Sequence, residues 1–295
     1  MEIPCDTTIA AAVADYLDAG DFTTSSRTTY RRVLEGMAQA LGPELRVAEL
    51  DAGELAGWFV RTRDAYMPAT WNRDRVIVRA FVRHLQDQGA ALKLPALGHR
   101  RVRPDTTRAL SRADVERILA APTPLREKTL WRLLYESAAR AGEVLALDVE
   151  DLDLANRRGR VIGKGGQVEW VTWSTGTATL LSRLLKGRRA GPVFATRRPS
   201  RVIPAVLDRG PEGTARLSYR RAAELFKAHA GATLHQLRHS ALTHMAEDGA
   251  SAPMLMTKSR HRSISSLGRY ARPSVEALQR WEATNDPARR RSASL

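Results

Sequence analysis

The sequence predicts a mainly α-helical protein of two domains, with one small antiparallel β-sheet in the second domain. The first 90 residues repeat apolar positions at helical spacing throughout. Only one later stretch, residues 151–173, alternates as a strand, a tight turn and a strand do. A chain of 295 residues is also long enough for two hydrophobic cores.

The N-terminal domain, residues 1–90, should consist of four helices separated by glycine and proline breaks. They are expected near residues 7–19, 25–41, 51–63 and 68–88. In the last helix Arg75, Arg79 and Arg83 recur every four residues on a face other than the apolar stripe. Such a row suits a helix that lies along DNA, and a solvated charged face explains it equally well.

Residues 91–108 contain two prolines, a glycine and no period, which predicts a linker. Its Arg100, Arg101 and Arg103 suggest that the linker also runs over phosphates. The second domain is expected over residues 109–285, followed by a basic, mobile tail at 286–295.

The second domain should open with a helix capped by Ser111 and continue with a helix near 124–138. Next comes the predicted hairpin, in which Val168, Trp170 and Thr172 alternate after a glycine-rich turn. Further helices are expected near residues 176–186, 218–230, 233–248 and 274–284.

Composition excludes several classes of protein. A single cysteine, Cys5, allows no internal disulfide and no cysteine-only metal site, so a reducing compartment is expected. The N-terminus lacks the basic segment of a signal peptide, and no apolar run approaches the roughly 18 residues of a membrane span. We therefore expect a soluble cytoplasmic protein that associates with the nucleoid.

The net charge of +15 is distributed unevenly along the chain. Residues 1–90 carry −3, residues 91–108 carry +4 and residues 109–295 carry +14. A basic domain preceded by a basic connector is typical of proteins that bind a polyanion, and nucleic acid is the expected one. A genomic bias towards arginine would explain the shortage of lysine, but it would not explain the excess of positive charge.

The helix at 233–248 aims an arginine at its apolar face. Leu234, Leu242 and Met245 define that face, Arg238 falls in its middle, and His235 lies at its edge. A buried guanidinium without an anion is costly. We therefore expect Arg238 to face a carboxylate or the phosphate of a ligand.

Four further polar residues need explaining together with this helix. Arg140 ends the helix in YESAARAGEVLAL, Lys164 lies at the tip of GKGG, and Tyr270 comes nine residues after His261. Each alone has an ordinary structural interpretation, such as a capped carbonyl, a solvated amine or a packed ring. Together they would fit one phosphodiester, with arginines on its oxygens and lysine or histidine handling a proton.

The order R…K…HxxR…H…Y resembles the tyrosine recombinase (phage integrase) family over nearly the whole chain. The matching positions are Arg140 and Glu143 in the segment that resembles YxTGLRxxEL, Lys164 in the hairpin turn, His235 and Arg238 in the HxxR box, His261 in the LGH element, and Tyr270. The resemblance implies a helical, SAM-like core-binding domain followed by an α+β catalytic domain. It also implies a site-specific recombinase or integrase of a mobile genetic element.

In the implied reaction Tyr270 attacks the scissile phosphate, forms a 3′-phosphotyrosyl link and frees a 5′-hydroxyl. Arg140 and Arg238 would stabilise the charge that develops on the phosphoryl oxygens, and Glu143 would support them. The covalent link conserves the energy of the broken bond. The resemblance therefore implies no metal, no ATP and no other cofactor.

The resemblance also gives the proton-handling residues their roles. Lys164 would act as the general acid towards the leaving 5′-oxygen, His235 would assist proton transfer, and His261 would bind the phosphate. The chain departs from the family pattern at two glycines, which are replaced by Ala138 and Arg260. Neither departure removes a catalytic group.

After the tyrosine, Val275, Leu278 and Trp281 could share one face of a short helix. The resemblance implies that this segment docks on a neighbouring protomer within a tetramer on DNA, with accessory DNA-bending or directionality proteins as further partners. Packing of the segment on its own domain is the alternative.

Two other functions remain open at this point. One is relaxation of DNA by the same residues without strand exchange, as in a type IB topoisomerase. The other is a catalytically silent or regulatory DNA-binding protein of the same fold. The complete set of matching residues argues against a silent protein.

Overall fold

A computed structural model describes the following residues of the chain: 4, 6–102, 109–163, 166–196, 208–261, 263–264, 267–268, 278–279 and 281–283. The chain forms two compact units, residues 1–105 and residues 106–295. No helix within the described ranges is both long enough and apolar enough to cross a lipid bilayer. The mainly helical fold with a small antiparallel sheet is confirmed.

The first unit contains four helices at the predicted places. They are α1 (Ile9–Ala19), α2 (Thr24–Leu41), α3 (Ala52–Arg63) and α4 (Pro68–Asp87). The side chains of Thr8, Thr23 and Asp51 accept N–H bonds from the first turns of α1, α2 and α3. Helix α4 begins with a proline, whose missing N–H would have no intrahelical partner in the first turn.

The segment that follows α4 packs on the first unit. Residues 90–102 contain neither helix nor strand, yet Leu92 and Leu97 are buried in the core of this unit. The indole Nε1 of Trp71 donates to the carbonyl of Gly98 at 2.9 Å. The guanidinium of Arg100 stacks on the same indole, 3.6 Å from the ring centre. The first unit therefore extends beyond residue 90 and includes the start of the predicted linker.

The second unit contains seven further α-helices that lie wholly within its described ranges. They are α5 (Arg112–Ala120), α6 (Leu125–Ser137), α7 (Ala141–Ala146), α8 (Thr175–Leu185), α9 (Tyr219–Ala230), α10 (Leu234–Glu247) and α11 (Ala252–Ser259). Helix α5 is capped by Ser111 as predicted. Helices α7 and α11 were not predicted, because six or eight residues hold too few turns for a periodic signal.

The sheet has three antiparallel strands in the order β1-β2-β3. They are β1 (Leu152–Asp153), β2 (Arg158–Ile162) and β3 (Val168–Thr172). Val161 and Val171 point into the core, so the alternating residues named by the sequence form the exposed face of β3. Strands β2 and β3 form the predicted hairpin, and β1 is a two-residue addition at its edge.

The core of the second unit lies around α6. Trp131 is buried on this helix and its ring packs 4.8 Å from that of Phe226 on α9. A smaller cluster joins Ala138, after the end of α6, to Leu242 on α10 and Leu255 on α11. The C-terminal end of α6 and the middle of α11 therefore pack against α10.

Three non-glycine residues at described helix ends adopt the left-handed conformation, and one of them, Lys186, follows α8 with a φ of 48°. Ala138 follows α6 with a φ of 50°, and Arg260 follows α11 with a φ of 55°. This region costs a non-glycine residue roughly 1–2 kcal/mol, and glycine tolerates it. The two positions at which the sequence replaces the glycines that the resemblance implies are thus helix ends where glycine would be less strained.

The C-terminal segment is only partly described. Residues 278–279 and 281–283 are helical, within the helix predicted near 274–284. The side chains of Leu278 and Trp281 are exposed, and Trp281 lies beside Gly249 of its own unit. Val275 and the predicted tail at 286–295 lie outside the described residues.

Candidate active site

Arg238 lies on the buried face of α10, as the sequence predicts. The residue as a whole is only 3% exposed. Nη1 donates to the main-chain carbonyl of Ala138, and Nη2 donates to the carbonyl of Ser259 at 2.7 Å. Arg238 therefore joins the end of α6 to the end of α11.

The sequence did not predict that main-chain carbonyls would also accept hydrogen bonds from Arg238. The last carbonyls of a helix lack an intrahelical partner and carry the partial negative charge of the helix dipole. The carbonyls of Ala138 and Ser259 belong to two such ends. They stabilise the guanidinium and hold its planar fork in one orientation.

His261 lies beside this guanidinium. Its Nε2 is 3.3 Å from Nη2 of Arg238, and its Nδ1 is 2.7 Å from the hydroxyl of Ser259. Because arginine can only donate, Nε2 must accept. The proton of a neutral imidazole is then on Nδ1, from which it is donated to Ser259. The geometry thus assigns both the tautomer and the ring orientation.

The sequence predicted that Arg140 ends a helix, and this prediction is wrong. Helix α6 ends at Ser137, and Arg140 caps the N-terminus of the short helix α7. Its main-chain N–H donates to Oε2 of Glu143 at 2.9 Å, and its Nη1 donates to Oε1 at 2.7 Å. Glu143 therefore holds both the backbone and the guanidinium of Arg140, which leaves the arginine side chain 52% exposed.

Glu143 stays ionised because cations surround it. Burial would raise the pKa of Glu143, but the charge of Arg260 and the hydrogen bonds from Arg140 lower that pKa below its ordinary value. The carboxylate is shared, since Arg260 donates to Oε2 while Arg140 takes Oε1.

The remaining predicted site residues are His235, Lys164 and Tyr270. His235 lies on the first turn of α10 and is exposed, whereas Arg238 on the same helix is buried. Lys164 and Tyr270 lie outside the described residues. The hairpin turn closes through a bond from the N–H of Gly163 to the carbonyl of Gln167 at 2.8 Å.

Two cations of α11 and its C-cap were not identified as site residues from the sequence. Nζ of Lys258 donates to the carbonyl of Thr172 at 3.0 Å and to its hydroxyl at 3.1 Å. Burial lowers the pKa of Lys258, while nearby Glu136 acts in the opposite direction. The side chain of Arg260 is 6% exposed and forms ion pairs with Glu143 and Glu169. Ion pairs between residues so distant in the chain produce no periodic pattern in the sequence. The only sequence feature that pointed to Arg260 was the arginine in SRH.

Two arginines of the predicted basic row on α4 contact the protein's own backbone. Nε of Arg75 donates to the carbonyl of Leu97 at 2.7 Å, and Nη1 of Arg79 donates to the carbonyl of Pro95 at 3.1 Å. These bonds hold the connector against α4. Arg83, one turn later, is exposed.

The predicted basic residues of the connector also differ from one another. Arg100 forms an ion pair with Asp64 in addition to its stack on the indole. Arg101 is exposed, and Arg103 lies outside the described residues. Arg83 and Arg101 therefore present their cations to solvent, whereas Arg100 contacts its own unit.

Comparison with known proteins finds phage integrases and tyrosine recombinases as relatives of this chain. The sequence profile of the phage integrase family matches residues 108–277. The tyrosine recombinase XerD of Xanthomonas axonopodis pv. citri is 29% identical over 279 residues, which cover 88% of this chain and 90% of the relative. The tyrosine recombinase XerC of Rhodospirillum centenum is 30% identical over 260 residues, covering 82% of this chain and 73% of the relative.

Solved structures share the fold. The integrase of the Tn1549 transposon, in complex with a circular intermediate DNA, has a TM-score of 0.65 at 14% identity and covers 94% of this chain and 99% of its own. The XerH site-specific recombinase bound to its difH substrate has a TM-score of 0.63 at 15% identity and covers 97% of this chain and 99% of its own. At these identities the likeness is one of fold.

Proposed function

The chain belongs to the phage integrase family and is a tyrosine recombinase, an enzyme that cleaves and rejoins DNA in site-specific recombination, and on that premise we propose which residues carry the reaction. Tyr270 is the nucleophile. Its phenolic oxygen bonds to the scissile phosphorus as the bond to the 5′-oxygen breaks, which leaves a 3′-phosphotyrosyl link. A 5′-hydroxyl from another strand then attacks the same phosphorus and releases the tyrosine.

Arg238 and Arg140 stabilise the charge on the phosphoryl oxygens during both steps. The observation that carries this proposal is the fixing of Arg238 by two helix-end carbonyls, with His261 beside it. A guanidinium held in place before DNA binds needs no reorganisation when charge develops, and such preorganised donors contribute several kcal/mol. Arg140 adds an exposed guanidinium that Glu143 orients.

Three residues handle protons and contacts at the phosphate. Lys164 protonates the leaving 5′-oxygen, and the exposed His235 assists proton transfer. A phosphate oxygen can replace Nε2 of His261 as the acceptor for Arg238. In its other tautomer, His261 then donates Nε2–H to that phosphate.

Double-stranded DNA is the substrate in this proposal, and the +14 charge of residues 109–295 supports it. We further propose that four protomers assemble on DNA through the C-terminal segment, whose Leu278 and Trp281 are 49% and 55% exposed. Accessory DNA-bending or directionality proteins complete the assembly, and the cytoplasm is the compartment.

A covalent-adduct assay tests the assignment of Tyr270. A binding site is first selected from a library of random duplexes and then nicked, so that cleavage releases a short fragment and traps the adduct. Wild type should form the adduct and Tyr270→Phe should not. Tyr219→Phe, which alters an exposed tyrosine at the start of α9, is the matched control.

An adduct that persists in Tyr270→Phe would contradict the proposed nucleophile. Lack of any adduct with wild type on the selected site would favour a DNA-binding protein without cleavage. Relaxation of supercoiled DNA without exchange between paired sites would favour a relaxing enzyme.

A further inference from the structure

Arg260 combines two unfavourable features at the end of α11. Its backbone is left-handed, a conformation that strains any residue other than glycine, and its side chain is 6% exposed. A buried cation is tolerated when anions pair with it. Arg260 has two such partners, Glu143 before it in the chain and Glu169 on β3.

The first partner connects Arg260 to the candidate active site. Glu143 presents Oε1 to the guanidinium of Arg140 and Oε2 to Arg260. Because two guanidinium groups share the carboxylate charge of Glu143, this carboxylate neutralises Arg140 only in part. Removal of Arg260 would leave Arg140 as the nearest described cation for this carboxylate.

The second partner connects Arg260 to the hairpin turn. Nε of Arg260 is 3.3 Å from Oε2 of Glu169. A Cβ atom placed on Gly163 would lie 2.7 Å from the carboxyl carbon of Glu169, so this carboxylate rests on the backbone of Gly163. Gly163 directly precedes Lys164 in the chain. Glu169 is thus held between Arg260 and the base of the turn.

A second cation from the same helix supports the attachment. Lys258 donates both of its described bonds to Thr172 on β3, three residues after Glu169. The end of α11 is therefore attached to β3 at two points. His261 follows Arg260 directly and contacts Arg238.

We propose that Arg260 is a positioning residue of the cleavage reaction, which sets Arg140 through Glu143 and the base of the Lys164 turn through Glu169. This inference rests on the proposed function. Glycine, which the family resemblance implies at this position, would tolerate the left-handed backbone. Arg260 lacks that tolerance but forms ion pairs with Glu143 and Glu169. A displacement of about 1 Å in such an arrangement can lower a rate by about 100-fold.

The test compares two DNA substrates in single-turnover cleavage at saturating protein. One has the ordinary 5′-oxygen at the scissile bond, and the other has sulfur there. A thiolate leaves without a proton, so the sulfur substrate does not need a general acid. It therefore reports whether a variant has lost the position of Lys164.

We expect Glu169→Gln to cleave the oxygen substrate about 100-fold more slowly and the sulfur substrate at nearly the wild-type rate. The cleavage rate of Arg260→Gly should fall by a similar factor on the oxygen substrate. On the sulfur substrate its rate should recover only in part, because this variant also loses the contact that sets Arg140 through Glu143. Arg260→Lys should retain part of the rate. Arg126→Gln, which removes a buried ion pair to Glu127 at the far end of α6, should lower stability and leave both rates unchanged.

Arg260→Gly relieves the backbone strain, so the folded variant should be obtainable; circular dichroism and thermal unfolding check this. If Glu169→Gln cleaves both substrates at the wild-type rate, or if its cleavage rate falls equally on both, the inference about Arg260 is overturned and the proposed function is not. Failure of wild type to form an adduct in the same assay would overturn the proposed function and this inference together.

Discussion

Replacement of Arg238 by lysine should separate its catalytic task from its structural one. Arginine reaches the carbonyls of Ala138 and Ser259 with two different nitrogens. Lysine carries its three N–H donors on a single nitrogen and lacks the planar fork that spans the two helix ends, so we expect Arg238→Lys to reach one carbonyl and leave the other unpaired inside the protein. An unsatisfied buried acceptor costs about 1–3 kcal/mol.

The expected loss of folding free energy in Arg238→Lys is therefore about 1–3 kcal/mol, within the roughly 5–15 kcal/mol that keeps a domain folded. Urea unfolding measures this loss. Arg238→Ala would leave both carbonyls unpaired and open a cavity as well, so the lysine variant is the better probe of catalysis.

The cleavage rate of Arg238→Lys should fall much further than its DNA affinity. Loss of one preorganised donor at a reacting oxyanion costs about 100–1000-fold in rate. Affinity depends on many phosphate contacts, and the charge of lysine is retained, so we expect less than about a tenfold change in Kd. Single-turnover cleavage and a binding titration at one fixed salt concentration give the two numbers. Equal losses in rate and affinity would refute the placement of Arg238 at one phosphate.

Further predictions concern stability, DNA contacts and pH. Ala138→Gly should stabilise the protein by up to about 1 kcal/mol in urea unfolding because it relieves a left-handed backbone, whereas Ala139→Gly should destabilise it. Arg75→Ala should destabilise the protein because it frees the carbonyl of the connector, whereas Arg83→Ala should instead weaken DNA binding and reduce the salt slope by about 1. Burial, together with the charge of a neighbouring arginine, lowers the pKa of His244, so NMR should show this imidazole titrating below 6.5. Because the unfolded state then binds the proton more tightly, stability present above pH 6.5 should decline as pH falls towards the folded pKa; titration at or above 6.5 would contradict this.

Periodicity predicted the long helices because their apolar stripes extend over several turns. It also placed Arg238 correctly on a buried face. It did not find α7 or α11, which are six and eight residues long. For the same reason the sequence assigned Arg140 to the end of a helix, although it begins the next one.

The partners of the site residues were harder to predict than their burial. A sequence shows that a guanidinium will be buried, but it does not show that two helix ends will bring carbonyls to it. The same holds for Arg260, whose carboxylate partners come from α7 and β3. The row at Arg75 and Arg79 was compatible with DNA or solvent, and neither interpretation included the carbonyls of residues 95–97.

The central claim is that cationic side chains gather round one phosphorus that Tyr270 attacks. Mass spectrometry of the trapped adduct, after digestion of the protein with trypsin and of the DNA with nuclease, tests it most directly. Because trypsin does not cut before proline, Tyr270 should be found in the peptide 270–280. We predict a nucleotide linked through phosphate to that tyrosine. A nucleotide on any other residue, or an adduct without the phosphate, would contradict the account.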